Sequence, residues 1–457
     1  MRRAPTVGLL LGIAAAGLRL PRALGDAFWQ DEVASARVVR EPTFGAMLHQ
    51  VVRTESTPPL WYSLAWLTHQ AGVSIHDTRL LSVGFDAALV FVAVQIAARL
   101  MPLQLAAVVG ALLAVSGQLS FHGRELRAYE LFALLAALYA VALHDAATRP
   151  TARRLAALTA VTAAGLLTHY FFGFTLAAGL VWVWTDQQVR AARRRVALAS
   201  AGGLALCAPW LPMFVAQYRH DRFSWIGPFS GRDVVETPLR IFSPAIAATS
   251  TAVAFVLCVL GGAWIAYRRG PLERLCAMLA VLPLLLAAST WLVGVRVYNI
   301  RNMIGIAPFV AIVVILPLAS LPHRRRLAAG AAVVATAAAA FVAGQTPNPP
   351  FGKIAAALVH VGWRPHDAVL VDGSFDTYRS PLEWYLPHAR VFVRKSIEDV
   401  SRSATFAVLP RRALPRGAER RAIQVGAYVV GRFPLRLEDR WVHRGVVLAP
   451  VRAALRT

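Results

Sequence analysis

Five short stretches of the chain hold residue types that could do chemistry. In FWQDEVASARVV, residues 28–39, two carboxylates stand side by side, Asp31 and Glu32, and a third, Glu55, immediately precedes STPPLWY. HGRELRAYE (122–130) offers Arg124, Glu125, Arg127 and Tyr129, LTHYFFGF (167–174) offers His169 and Tyr170, and RVYNIRN (296–302) offers Arg296, Tyr298 and Arg301. A carboxylate can take the proton of an incoming hydroxyl, while fixed cations stabilise a departing phosphate. Because phosphate leaves as an anion, such a displacement needs one base and no external acid, the base acting as in inverting glycoside hydrolysis.

These residues sit in a chain of unusual composition. Of 457 residues, 57% are hydrophobic and 16% charged, with a mean hydropathy of +0.52. That is too apolar for a soluble multidomain enzyme and implies an integral membrane protein. The formal charge of +24 arises from 48 Lys plus Arg against 24 Asp plus Glu, and Lys is limited to Lys353 and Lys395. Clusters recur between apolar runs, at Arg2–Arg3, Arg99, Arg149–Arg154, Arg190–Arg195, Arg268–Arg274 and Arg324–Arg326. Such spacing is the positive-inside pattern of cytoplasmic loops and excludes a nucleic-acid partner. Cys207, Cys258 and Cys276 lie in apolar runs without CxxC spacing, which predicts neither a disulfide nor a zinc site.

Apolar runs of spanning length predict about eleven membrane helices, at 4–24, 79–98, 102–120, 129–146, 154–168, 170–186, 195–214, 250–267, 272–294, 302–320 and 327–344. With the N-terminus inside, the arginine clusters are cytoplasmic, and loops 25–78, 121–128 and 215–249 face out. The first run also resembles a secretory signal, but its cleavage would leave loop 25–78 untethered. Counting 58–72 as a span would invert every later loop, so this segment is read as a helix on the outer surface, anchored by Trp61, Tyr62 and Trp66. Residues 1–346 form the membrane domain. Beyond TPNPP, residues 347–457 predict a small extracytoplasmic α/β domain, with strand-like AVLVD, RVFVR, FAVLP and WVHRGVVLAP and a helix around DTYRSPLEWYL. VDGS could cradle a phosphate, but an ordinary strand-end turn accounts for it.

On this threading the carboxylates and cations of separate outer loops gather at one membrane depth. That layout suits a reaction at the membrane surface on a lipid with an anionic head, such as a polyprenyl phosphate carrying a glycosyl group. A transporter or lipid flippase is the alternative class. It would show paired repeats and polar or broken helices at mid-membrane, whereas here the charges other than Asp86 lie at span ends. A scaffold whose outer domain binds a wall polymer is a third class, and the intact acidic pair argues against it. From residue 348 onward, 18 basic residues against 9 acidic ones favour an anionic glycan or the lipid surface as the neighbour of the outer domain.

The motifs resemble those of the GT-C membrane glycosyltransferases, in particular the bacterial branch of glycosyltransferase family 39, the protein O-mannosyltransferase and aminoarabinose transferase-like enzymes. QDEVASA resembles the acidic pair that opens their first outer loop, ESTPPLWY their acidic Pro-Pro-Leu-aromatic-aromatic helix, and Glu125, Arg127 and Tyr129 their Glu-x-Arg-x-Tyr motif. Thr168, His169 and Tyr170 match Thr-His-Tyr, and Arg301 with Pro308 matches an Arg ahead of a proline-containing span. The resemblance covers residues 5–345 and implies an inverting transfer from a polyprenyl-phosphate sugar to a hydroxyl of an envelope glycan, lipid or protein, in the plasma membrane. It implies Asp31 as general base. Arg127 and Arg301, with His169, Tyr129 and Tyr170, would bind the donor phosphate, and Glu32, Glu55 and Glu125 would support them. Some relatives bind a divalent metal, for which Glu55 and His169 are the candidates. Two departures bear on substrate identity: Thr57 replaces a usual His, and Asn302 a usual aromatic. Asp86 stands where a small residue is expected, and either pairs with an arginine such as Arg79 or touches the acceptor.

Overall fold

The computed structural model describes the chain apart from residues 1–2, 220–225, 227–228, 244–248, 296, 345–347, 372–378, 394–402, 411–422, 426–427 and 437–457. Arg296, the strand expected at WVHRGVVLAP and all but the first residue of VDGS therefore lie outside the described residues. The chain divides into two compact units, Met1–Leu24 with Ala36–Gln345 and Gly25–Ser35 with Thr346–Thr457.

The first unit is helical. Its helices are α1 (Ala4–Gly25), α2 (Gln30–Val39, which crosses the unit boundary), α3 (Phe44–Thr54), α4 (Leu60–Gln70), α5 (Leu80–Leu100) and α6 (Leu103–Ala114). They are followed by α7 (Gly117–His122), α8 (Tyr129–Thr148), α9 (Ala152–Thr168), α10 (Phe172–Thr185), α11 (Arg193–Leu206) and α12 (Leu211–Arg219). The last are α13 (Gly231–Phe242), α14 (Thr249–Tyr267), α15 (Pro271–Ser289), α16 (Ala307–Ile315) and α17 (His323–Ala343).

Among the described residues, eight helical segments are long and apolar enough to cross a membrane. The other three expected spans, 102–120, 154–168 and 170–186, form shorter helices of 12, 17 and 14 residues. Their ends have local causes. The hydroxyl of Ser116 caps the next helix by accepting from the Leu119 amide, and His169 turns extended after α9. α16 is apolar all round and buried through Phe309, Val310, Ile312 and Val313, whereas Leu9, Leu10, Ile13, Leu257, Trp264 and Val342 point outward, as lipid-facing residues do. A Cβ on Gly262 would lie 2.0 Å from the Val313 carbonyl oxygen, so only glycine lets α14 close on α16.

At 11 residues, α4 is too short to span. Trp61 and Tyr62 are not surface anchors, however: both are buried within the protein, and Trp66 donates its indole N–H to the Glu41 carbonyl at 2.8 Å.

The second unit carries a five-stranded sheet, β1 (Ala368–Val371), β2 (Arg390–Val393), β3 (Ser403–Pro410), β4 (Ile423–Val425) and β5 (Tyr428–Arg436), in the order β2-β1-β3-β5-β4. β1 pairs in parallel with β2 and β3, placing Val369 opposite Val391 and Phe406, and β5 runs antiparallel to β3 and β4. Val369, Val371, Phe406, Val408 and Val430 form one core with Phe351, Ile354 and Leu358 of α18 (Phe351–His360) and Leu382 of α19 (Arg379–Tyr385). Gly25–Ser35 belong to this unit, whereas the sequence reading assigns them to the membrane domain. The reason is apolar: Phe28 is buried, its amide donates to the Tyr385 hydroxyl at 3.0 Å, and its ring meets Trp384 edge-on at 6.0 Å.

Candidate active site

Glu55 ends α3 as its C-cap, and Tyr62 stands one turn into α4. The Tyr62 hydroxyl donates to Glu55 Oε2 at 2.6 Å and receives the Thr57 hydroxyl at 3.2 Å. Arg127, from the loop before α8, donates to the same carboxylate oxygen at 3.1 Å and reaches the Tyr62 oxygen at 3.4 Å. All four side chains are buried. Burial, then the Glu55 charge, raises the Tyr62 phenol above its ordinary range, so it acts as a donor and not as a phenolate.

Beside this group lies a second one built of rings. His122 ends α7, and its Nδ1 meets Glu125 Oε2 at 2.8 Å. Its ring lies 4.3 Å from that of Tyr129, which lies 5.8 Å from His169, and His169 stacks on Phe132 at 4.8 Å with an interplanar angle of 16°. His169 Nδ1 accepts from the Phe171 amide at 3.3 Å, so in the neutral ring Nε2 bears the hydrogen. Burial, followed by the charges of Arg127 and Arg301, pushes His169 down to about 3. His122 is lowered by burial and then by Arg301, Arg127 and Arg124, despite its acidic partner. The charges of Arg127 and Arg301 thus act on both imidazoles, and that of Arg124 on His122. An anion entering there meets fixed positive charge without displacing a protonated histidine.

The site differs from the expectation in several respects. His122 and Arg124, from a loop expected on the outer face, are buried within the protein. Tyr170 gives its hydroxyl to Gln217 Oε1 at 2.5 Å and receives the Trp210 indole N–H at 2.9 Å. Gln217 then holds the carbonyls of Val51 and Thr57, so Tyr170 braces the Glu55–Thr57 loop. Glu32 is fully buried and accepts from the Trp29 amide at 3.3 Å. Asp31 is half-buried in the first turn of α2 and belongs, like Glu32, to the second unit. Arg127 and Tyr62 both bind Glu55 Oε2, and among the described residues no group of three or more His, Cys, Asp or Glu could hold a metal ion.

Asp86 pairs not with Arg79 but with Arg19 of α1, at 2.9 Å and fully buried. Arg19 also donates to the Ala114 and Leu113 carbonyls, while Arg79 donates to the Ala23 carbonyl at 3.1 Å. Close by in electrostatic terms is Glu130, fully buried in the first turn of α8, with no hydrogen-bond partner for either carboxylate oxygen. The sequence signal for Glu130 is the charge that closes HGRELRAYE.

No protein-family model matches the chain, and no curated protein matches it in sequence. Solved structures do match. ArnT from Cupriavidus metallidurans in the apo state superposes with a TM-score of 0.58 at 14% identity, over 92% of this chain and 96% of that one. ArnT bound to undecaprenyl phosphate gives 0.57 at 14% identity, over 92% and 97%. The Archaeoglobus fulgidus oligosaccharyltransferase in complex with Zn and sulfate gives 0.56 at 11% identity, over 89% and 68%. At such identities the likeness is one of fold, and the chain is a polytopic membrane protein of the GT-C fold.

Proposed function

We propose that the protein is an inverting glycosyltransferase that moves a sugar from a polyprenyl-phosphate donor to a hydroxyl of an envelope glycan, lipid or protein at the outer face of the plasma membrane. The observation that carries the proposal is the buried Arg127–Glu55–Tyr62 group beside the His122, Tyr129 and His169 rings, with the charges of Arg127 and Arg301 acting on both histidines. The fold likeness to ArnT, one structure of which is bound to undecaprenyl phosphate, supports the same reading.

In this mechanism Asp31 takes the acceptor hydroxyl proton as the oxygen attacks the anomeric carbon, with inversion. The bond from that carbon to the phosphate oxygen breaks, its electron pair staying on the phosphate. Arg127 and Arg301 meet the charge that develops, and the Nε2–H of His169 adds a neutral donor. Glu55 and Tyr62 hold the Arg127 guanidinium in place, a preorganisation worth more in a dry site than in water.

Purified protein in nanodiscs tests the proposal through release of polyprenyl phosphate from a panel of polyprenyl-phosphate sugars, with membrane extract as acceptor. Wild-type release that Asp31→Asn abolishes is the expected result. Equal release by both proteins would remove Asp31 from the mechanism, and no release from any donor would favour the transporter class.

A further inference from the structure

α13 and the segment before Arg301 enclose a cavity that the proposed chemistry leaves unused. Its volume is about 200 Å³, and its lining includes Phe229, Asp233, Thr237, Arg240, Tyr298 and Asn299. The rings of Phe229 and Tyr298 lie 4.6 Å apart and form an aromatic wall. The Thr237 and Tyr298 hydroxyls share a hydrogen bond at 2.6 Å. Asp233 is fixed as the capping residue of α13, accepting from the Ser230 amide at 2.7 Å and hydroxyl at 2.8 Å, and Arg240 is held by Glu236 at 2.5 Å. The polar groups are therefore positioned before a ligand arrives.

The lining chemistry narrows the ligand. One carboxylate and one guanidinium offset each other, so the cavity selects neither a phosphate nor an ammonium. The Thr237 hydroxyl donates to the Asp233 carbonyl at 2.7 Å and receives that of Tyr298, so both oxygens offer lone pairs, while the Asn299 amide nitrogen and Arg240 supply donors beside the aromatic face. A polyhydroxylated ring matches this, since its edge carries hydroxyls that both donate and accept and its C–H face packs on aromatics. The volume lies below the ~300 Å³ of the smallest usual ligand sites, room for one ring in a pocket that is open on one side. α13 packs against both α7, which ends at His122, and the Ile300–Ile306 turn, which carries Arg301. The Ser116 hydroxyl ties the first contact by donating to the Ile241 carbonyl at 2.7 Å.

We propose that this cavity is a subsite for a single sugar ring beside the arginine cluster. The ring is either the donor's glycosyl group or the terminal sugar of the acceptor, a choice of source that rests on the transferase reading. Binding itself needs no turnover, so the two ideas fail separately.

Saturation-transfer NMR on the full chain in nanodiscs tests it, with methyl glycosides of mannose, glucose, galactose and arabinofuranose as probes. At least one glycoside should bind the wild type, and Phe229→Ala and Tyr298→Phe should each weaken it about fivefold or more, the worth of one net contact. Arg127→Ala should leave glycoside binding intact. Tyr298→Phe removes one oxygen, and retained binding of undecaprenyl phosphate by the Phe229 and Tyr298 variants establishes that both are folded. No binding by any glycoside, or wild-type binding in both folded variants, would overturn the proposal. So would displacement of the glycoside by undecaprenyl phosphate alone, because the cavity would then be part of the lipid-phosphate site. Displacement only by the sugar-linked lipid supports the subsite and assigns it to the donor, while no displacement by either lipid supports it and assigns it to the acceptor.

Discussion

Arg127 joins the two halves of the candidate site, through its hydrogen bond to Glu55 and through the charge it places on His122 and His169. Arg127→Ala should weaken polyprenyl-phosphate binding about 10- to 100-fold, the loss of a charge-assisted contact of about 1.5–3 kcal/mol. Arg127→Lys should fall between, since it keeps the charge but cannot span Glu55 and a phosphate with one planar fork. Titrating tryptophan fluorescence with undecaprenyl phosphate measures both, and unchanged affinity in Arg127→Ala would exclude the contact. The histidines give a pH signature. Both sit below the ordinary imidazole value, His169 at about 3, so on acidification the unfolded chain binds protons that the native site refuses. Stability should therefore fall as pH drops from about 6.5 towards 3. His169→Phe, which keeps a ring on Phe132, should flatten that decline in thermal unfolding scans between those limits. Arg127, Arg301 and His169 were legible in the sequence because each lies in a polar island between apolar runs. Tyr62 was legible only as an aromatic near a surface, since hydropathy marks an interfacial anchor and a buried donor alike. His122 and Arg124 could be recognised as buried only through tertiary packing.

Helix α1 is held to α5 by a fully buried ion pair, Arg19 with Asp86. Breaking one side of such a pair strands the other charge. Asp86→Ala should cost about 3–5 kcal/mol, read as a lower unfolding midpoint in detergent. The double variant Arg19→Met/Asp86→Leu should recover most of that loss, because the pair as a whole need not be stabilising. If the double variant melted as low as the single one, the charges would have a role beyond mutual compensation, with Glu130 the first residue to examine. This pair also explains a limit of reading helices one at a time. Arg19 looks like a defect in an apolar span and Asp86 like an intrusion in another, and neither span reveals that they meet. The length of α6 was likewise obscured, because apolar sequence runs on through the helix end at Ser116, whereas α9 and α10 part at His169, where the expected spans 154–168 and 170–186 divide. The segment 25–35 groups with the second unit for a related reason: its two carboxylates look like loop chemistry, while Phe28 packs beside Tyr385 and Trp384.

The chain as a whole keeps one parity that survives the shortening of those three helices. Following the helices in order, Arg99, Arg149–Arg154, Arg193–Arg195, Arg268–Arg274 and Arg324–Arg326 all fall at one set of turns, and Glu55, Arg127, His169 and Arg301 fall at the other. Short helices reverse the chain as effectively as long ones, which is why the loop charges predicted the alternation even where span lengths were wrong. Cationic loops resist translocation, so the orientation we propose puts the arginine turns in the cytoplasm and the candidate site outside. Cysteine labelling tests this directly. With Cys207, Cys258 and Cys276 replaced, single cysteines at exposed Ser230, which caps α13 at the site end, and at exposed Arg324, at the start of α17, report the two sides. A membrane-impermeant maleimide should label the Ser230→Cys variant in intact cells and the Arg324→Cys variant only after permeabilisation. Labelling of Arg324→Cys alone in intact cells would put the arginine turns outside and the candidate site on the cytoplasmic face. Envelope acceptors would then be out of reach, and a transferase acting there would have to use a cytoplasmic hydroxyl, leaving the chemistry of the site intact but changing what it serves.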